Sequence, residues 1–242
     1  MLVAAAVCPC PPLLVPDVAA GAARELDAAR AACTDALGVL AAARPGLLLV
    51  VGPVESAEPE MYPETYPEGT RGSFRGFGVD LGVRLGQGDE GSPADQRLPY
   101  SLAVAAWLLE RTGWSDAPVE GLGVGDRLAP ERCARIGRDL ATRSERVALL
   151  VMGDASACRT LKAPGYLDER AAPFDAEVAR ALGTADMAAL TTLDTGLARE
   201  LKASGRAPWQ VLAGAAEGAD LGGSLLYEDA PYGVGYIVAT WS

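Results

Sequence analysis

Val147-Ala148-Leu149-Leu150-Val151-Met152 runs straight into Gly153-Asp154-Ala155-Ser156. Six apolar residues without polar alternation make a strand buried on both faces, and the Gly-Asp pair stops it. Two other stretches follow the same grammar. Residues 2–7 end at Cys8-Pro9-Cys10-Pro11-Pro12, and residues 47–51 end at Gly52-Pro53. Around them the pattern turns helical. Asp17 is a fitting N-cap for an Ala-rich helix over 18–43, ended by Arg44-Pro45-Gly46. Further helices are predicted over 99–111 and 130–144, with four short ones between 173 and 217. Strands over 77–85, 224–227 and 233–241 complete the set, and 54–78 and 86–97 read as long loops. Strands alternating with helices predict an α/β fold, one domain over 1–242, with a largely parallel sheet covered by helices on both faces.

In such a sheet the ligand cleft lies beyond the carboxyl ends of the strands. Three strand exits are legible, at 8–10, 52–54 and 153–156. If their strands are neighbours, function is to be sought where they converge.

Composition narrows the chemistry. The 242 residues include no histidine, so Ser-His-Asp triads, Cys-His dyads, HExxH zinc sites and two-His-one-carboxylate iron sites are excluded. The net charge is −11, and no basic block interrupts it. Nucleic acid and anionic membrane are therefore not expected as partners. Only Lys162 and Lys202 are lysines, and asparagine is absent. Five scattered cysteines (8, 10, 33, 133, 158) follow no positively charged leader. They predict free thiols in a reducing cytoplasm.

Cys10 and Cys8 project to one face of an extended segment, which puts two thiols at a strand exit. They are either small buried hydrophobes or, beside a helix N-terminus, a reactive pair. Asp154 and Ser156 stand in what reads as a tight turn, suited equally to holding backbone amides and to facing a ligand. Lys162 could reach a carboxylate or phosphate, or stand solvated. Glu55, Glu58, Glu60, Glu64 and Glu68 crowd one loop, a possible hard-cation site without EF-hand spacing. The run Gly121-Leu-Gly-Val-Gly125 imitates a phosphate loop, but no helix starts until Pro130, so no phosphate role is assigned.

These segments, in order, resemble class III extradiol ring-cleavage dioxygenases. Pro9-Cys10-Pro11-Pro12 looks like that family's Pro-His-Pro-Pro, and 48–54 resembles its strand ending in Ser-Pro-His. Residues 152–159 are similar to its Gly-Asp-x-Ser-His turn. Lys162-Ala-Pro-Gly-Tyr166, Pro173-Phe174-Asp175, 209–215 and 231–236 match in order and approximate spacing. The resemblance implies an α/β fold and, in active members, cleavage of catechol rings by O2 at non-haem Fe(II) held by two histidines and a carboxylate. Another histidine serves as acid/base. Here the ligand positions read Cys10 and Val54, the acid/base position reads Ala157, and the only carboxylate near the expected place is Glu200.

Valine cannot ligate a metal and alanine cannot move a proton, so bound Fe(II) is not expected. Two readings follow. One is a non-catalytic homologue that binds a small molecule or a protein and forms a homo-oligomer. The other is an enzyme with remodelled chemistry, Cys10 acting with Asp154, Ser156 and Lys162. A dioxygenase completed by a partner subunit is the remaining variant.

Overall fold

The structure is a computed structural model that describes residues 1–54, 63–88 and 96–242. Its frame is β1 (Leu2–Cys8), β2 (Leu47–Val54), β6 (Val119–Gly125) and β7 (Val147–Met152), four parallel strands in the order β6-β2-β7-β1. Antiparallel strands close both edges. β3 (Glu64–Tyr66) pairs with β6, while β9 (Tyr236–Trp241) pairs with β1 and β8 (Gly223–Asp229) with β9. A separate ribbon joins β4 (Arg71–Ser73) to β5 (Gly82–Arg84). The α/β class with a mostly parallel sheet is as the apolar runs predict.

Side-chain alternation divides the interior into two cores. Val147, Leu149 and Val151 face one side with Leu49, Val51 and Val7, under α4 (Pro130–Ala141), α5 (Ala171–Gly183), α6 (Met187–Thr191), α7 (Thr195–Glu200) and α8 (Arg206–Ala215). Ala148, Leu150 and Met152 face the other with Leu48, Val50, Ala4, Ala6 and Cys8, under α2 (Asp27–Ala42) and α3 (Tyr100–Thr112). Each fully buried Val or Leu contributes about 1.5–3 kcal/mol, which explains why these strands admit no polar residue. α4 and α8 meet at backbone distance, because a Cβ on Gly137 would strike the Val211 carbonyl and one on Gly214 would strike Ala134.

Several boundaries differ from the sequence reading. The helix over 18–43 is interrupted: α1 (Pro16–Ala19) stops at Ala20, whose φ of 48° leaves the helical basin, and Ala20–Leu26 winds as 3-10 before α2 starts. Asp17 is inside α1 and caps nothing, since the N-cap is Val15. The strand over 77–85 shrinks to β5, because Arg75–Phe77 is a 3-10 turn closed by left-handed Gly78. β3 and β4 fall in the stretch read as loop. The helix over 130–144 ends at Ala141.

β6 departs from the sequence pattern altogether. Its glycines mimic a loop, yet they make room: a Cβ on Gly121 would press on Leu85, Leu102 and Tyr66, and one on Gly123 on Val54. No helix among the described residues is long and apolar enough to cross a membrane.

Candidate functional site

Because β2, β7 and β1 are adjacent and parallel, the three legible strand exits meet at one edge of the sheet. The join is made by backbone. Gly153 N donates to Cys8 O (3.0 Å), and Cys10 N donates to Asp154 Oδ1 (2.8 Å). Asp154 N donates in turn to Ser204 Oγ (3.0 Å), and Gly205 N to Asp154 O (2.9 Å). Gly153 and Gly205 permit this approach. A Cβ on Gly153 would run into Gly205, and one on Gly205 into the Trp209 ring.

Residues 153–156 are extended rather than a tight turn. Ala155 N donates to Gly235 O and Gly235 N to Ser156 O, both at 2.8 Å, so the segment pairs with the approach to β9 instead of folding on itself. Asp154 and Ser156 thereby part company. Ser156 is wholly buried and bound to Asp175 on α5, its N donating to Oδ1 and its Oγ to Oδ2, both at 2.8 Å. Arg159 Nη1 adds a 2.9 Å ion pair to the same Oδ2. Asp175 is thus a lock between the β7 exit and α5, although burial raises its pKa against those three donors.

Asp154 keeps a narrow opening to solvent, and no hydrogen bond from the described residues reaches its Oδ2. Dense surroundings push its pKa up to about 7, only partly opposed by the Cys10 amide. Cys10 is fully buried. Desolvation and the charge of Asp154 raise its thiol well above the ordinary value, against a hydrogen bond with Ser204. Cys8 is raised likewise, chiefly through a hydrogen bond with Cys33, and all five cysteines are buried and free. A buried thiol held in its protonated form is a weak nucleophile, so the surroundings of Cys10 oppose the reactive role.

The cavity at this edge has a volume of about 420 Å³. Pro53 and Val54 from β2 and Tyr100 from α3 line one side; Asp126 and Arg127, following β6, line another. The third wall runs from the end of α7 to the start of α8, with Arg199, Lys202, Ser204 and Arg206. Lys162 is absent from it: that lysine is exposed on a segment that also exposes Leu161 and Tyr166, and the cleft lysine is Lys202. The arginines and Ser204 give no signal in the sequence, because each stands singly beside an ordinary helix or after the glycine-rich β6.

The iron implied by the resemblance does not fit these residues. Val54 faces the cleft without a donor atom, and Cys10 holds its proton in the core. Ala157 is buried with its N donating to Leu201 O, and Glu200 points away into a 2.8 Å ion pair with Arg170. Among the described residues, no group of three or more His, Cys, Asp or Glu side chains could hold a metal ion. Of the loop glutamates, Glu64 accepts from Gln96 and Glu68 from the Gln87 amide, whereas Glu55, Glu58 and Glu60 lie outside the described residues.

Comparison with known proteins gives the fold and nothing finer. No family model and no curated protein matches the sequence. The crystal structure of an uncharacterized protein from Escherichia coli K12 is similar over 99% of both chains, with a TM-score of 0.55 and 13% identity.

Proposed function

We propose that this chain is an extradiol-dioxygenase-like protein that binds a small molecule in its strand-exit cleft and does not cleave rings with iron. One observation carries the reading. The cleft occurs where an α/β sheet collects its ligands, yet Val54, at the position assigned to a metal ligand, presents only an alkyl group to it. A volume of about 420 Å³ suits a small organic molecule. The Cys10-based enzyme is disfavoured by burial and by the neighbouring carboxyl of Asp154.

The test is metal content and turnover of untagged protein, purified anaerobically and then incubated with Fe(II). Metal well below one equivalent and no O2 uptake with a catechol are expected. Near-stoichiometric iron with catechol-dependent O2 uptake would overturn the reading. A polyhistidine tag must be avoided, since it would supply the imidazoles the chain lacks.

A further inference from the structure

The cleft of this acidic chain gathers cationic side chains. Several arginines elsewhere meet carboxylates: Arg75 pairs with Asp80, Arg138 with Glu217, Arg143 with Glu120, and Arg180 with Asp186. The side chains of Arg127 and Arg199, both exposed on the cleft wall, make no ion pair or hydrogen bond with any described residue. Beneath them Arg206, only 3% exposed, donates to Leu128 O, Gln210 Oε1 and Asp126 O. These acceptors are uncharged, so they hold the guanidinium without neutralising it. The cavity is therefore lined by Arg127, Arg199, Lys202 and Arg206 against a single carboxylate, Asp126, in a chain of net charge −11.

Lys202 adds an independent observation. It follows α7 with φ of 57°, the left-handed position that commonly takes glycine after a helix, and Ala203 N closes the cap on Ala198 O (2.8 Å). A lysine there accepts backbone strain that glycine would avoid. Its Nζ donates to Pro164 O (3.2 Å), which holds the ammonium at the cleft with two further protons to give.

We propose that the cleft binds the carboxylate or phosphate group of a small organic anion through Arg199, Lys202 and Arg127. This rests on the ligand-binding reading above and names its ligand class. Guanidinium groups clamp such oxyanions in pairs of parallel hydrogen bonds, and an ammonium adds a point charge. The buried charge of Arg206 raises the potential at the floor, where water screens little. The concave shape and acidic surroundings exclude an extended polyanion.

The experiment is calorimetric titration of the untagged protein at low ionic strength with pyrophosphate, citrate and phthalate, each at matched ionic strength against sodium chloride. Saturable binding is expected to at least one of them, weakened about tenfold by Arg199→Gln and again by Lys202→Gln. Arg127→Gln should weaken it to a similar degree. A preference for pyrophosphate would assign a phosphate ligand, and one for citrate or phthalate a carboxylate. The three side chains are exposed and the Lys202–Pro164 hydrogen bond is the one bond they make to described residues, so the variants should melt within a few degrees of the parent. Absence of saturable binding, or binding that the three substitutions leave unchanged, would overturn the proposal. Iron uptake with catechol turnover would instead defeat the non-catalytic reading, whatever the anions do.

Discussion

Replacing Asp154 by Asn should leave stability near the parent's at pH 4 and raise it progressively above the parent's as the pH approaches 8. The carboxyl titrates at about 7 in the fold against 3.8 as the reference. The shift of about 3 units corresponds to about 4 kcal/mol of preference for the protonated form. Between pH 4 and 7 the folded chain keeps a proton that the unfolded chain has released. Stability therefore falls as pH rises through that window and levels off once both states are ionised. The amide cannot ionise, yet its Oδ1 can still accept the Cys10 N–H.

Urea unfolding of both proteins from pH 4 to pH 8 reads the effect. The variant should gain about 3–4 kcal/mol on the parent across the range. The window is unusually clean because the chain has no histidine. The groups facing Asp154 are the Cys10 thiol, the Tyr236 phenol and the Ser204 hydroxyl. Both titratable neighbours are shifted upward and stay neutral below pH 8. Asp175, also raised, is common to both proteins and cancels. Parallel stability curves would refute the reasoning and show that the Asp154 carboxyl remains well solvated.

Asp175→Ala should destabilise by about 3–5 kcal/mol in the same assay, since it leaves Ser156 and Arg159 without their shared acceptor; Asp175→Asn, which retains an acceptor oxygen, should lose less. A loss below 1 kcal/mol for the alanine variant would deny Asp175 its locking role. Thiol titration with a chromogenic disulfide at neutral pH should find no fast-reacting cysteine in the native protein and all five after unfolding. A single fast thiol mapped to Cys10 would return the nucleophile to consideration. Gly137→Ala should lower stability by about 2 kcal/mol or more by forcing α4 off α8, as thermal unfolding would report.

The parallel sheet and its ligand-facing edge are written in local sequence. The runs ending at Met152, Val7 and Val51 are buried on both faces, a local pattern that needs no knowledge of neighbours, and glycine or proline marks each exit. The absence of imidazole donors was equally legible, because donor atoms are a property of residue type. What lines the cleft was decided by tertiary structure alone. Lys162 and Lys202 look alike in one dimension; only the packing of α7 and α8 against the β7 exit brings Lys202 to the cavity and leaves Lys162 in solvent. Asp154 and Ser156 are two residues apart, yet one meets Cys10 and Ser204 while the other is drawn to Asp175. β6 was hidden because its glycines answer to Tyr66, Leu102 and Val54, residues distant in the chain. The protonation of Cys10 and Asp154 follows from how much water the assembled fold leaves around them, a quantity that no stretch of sequence contains.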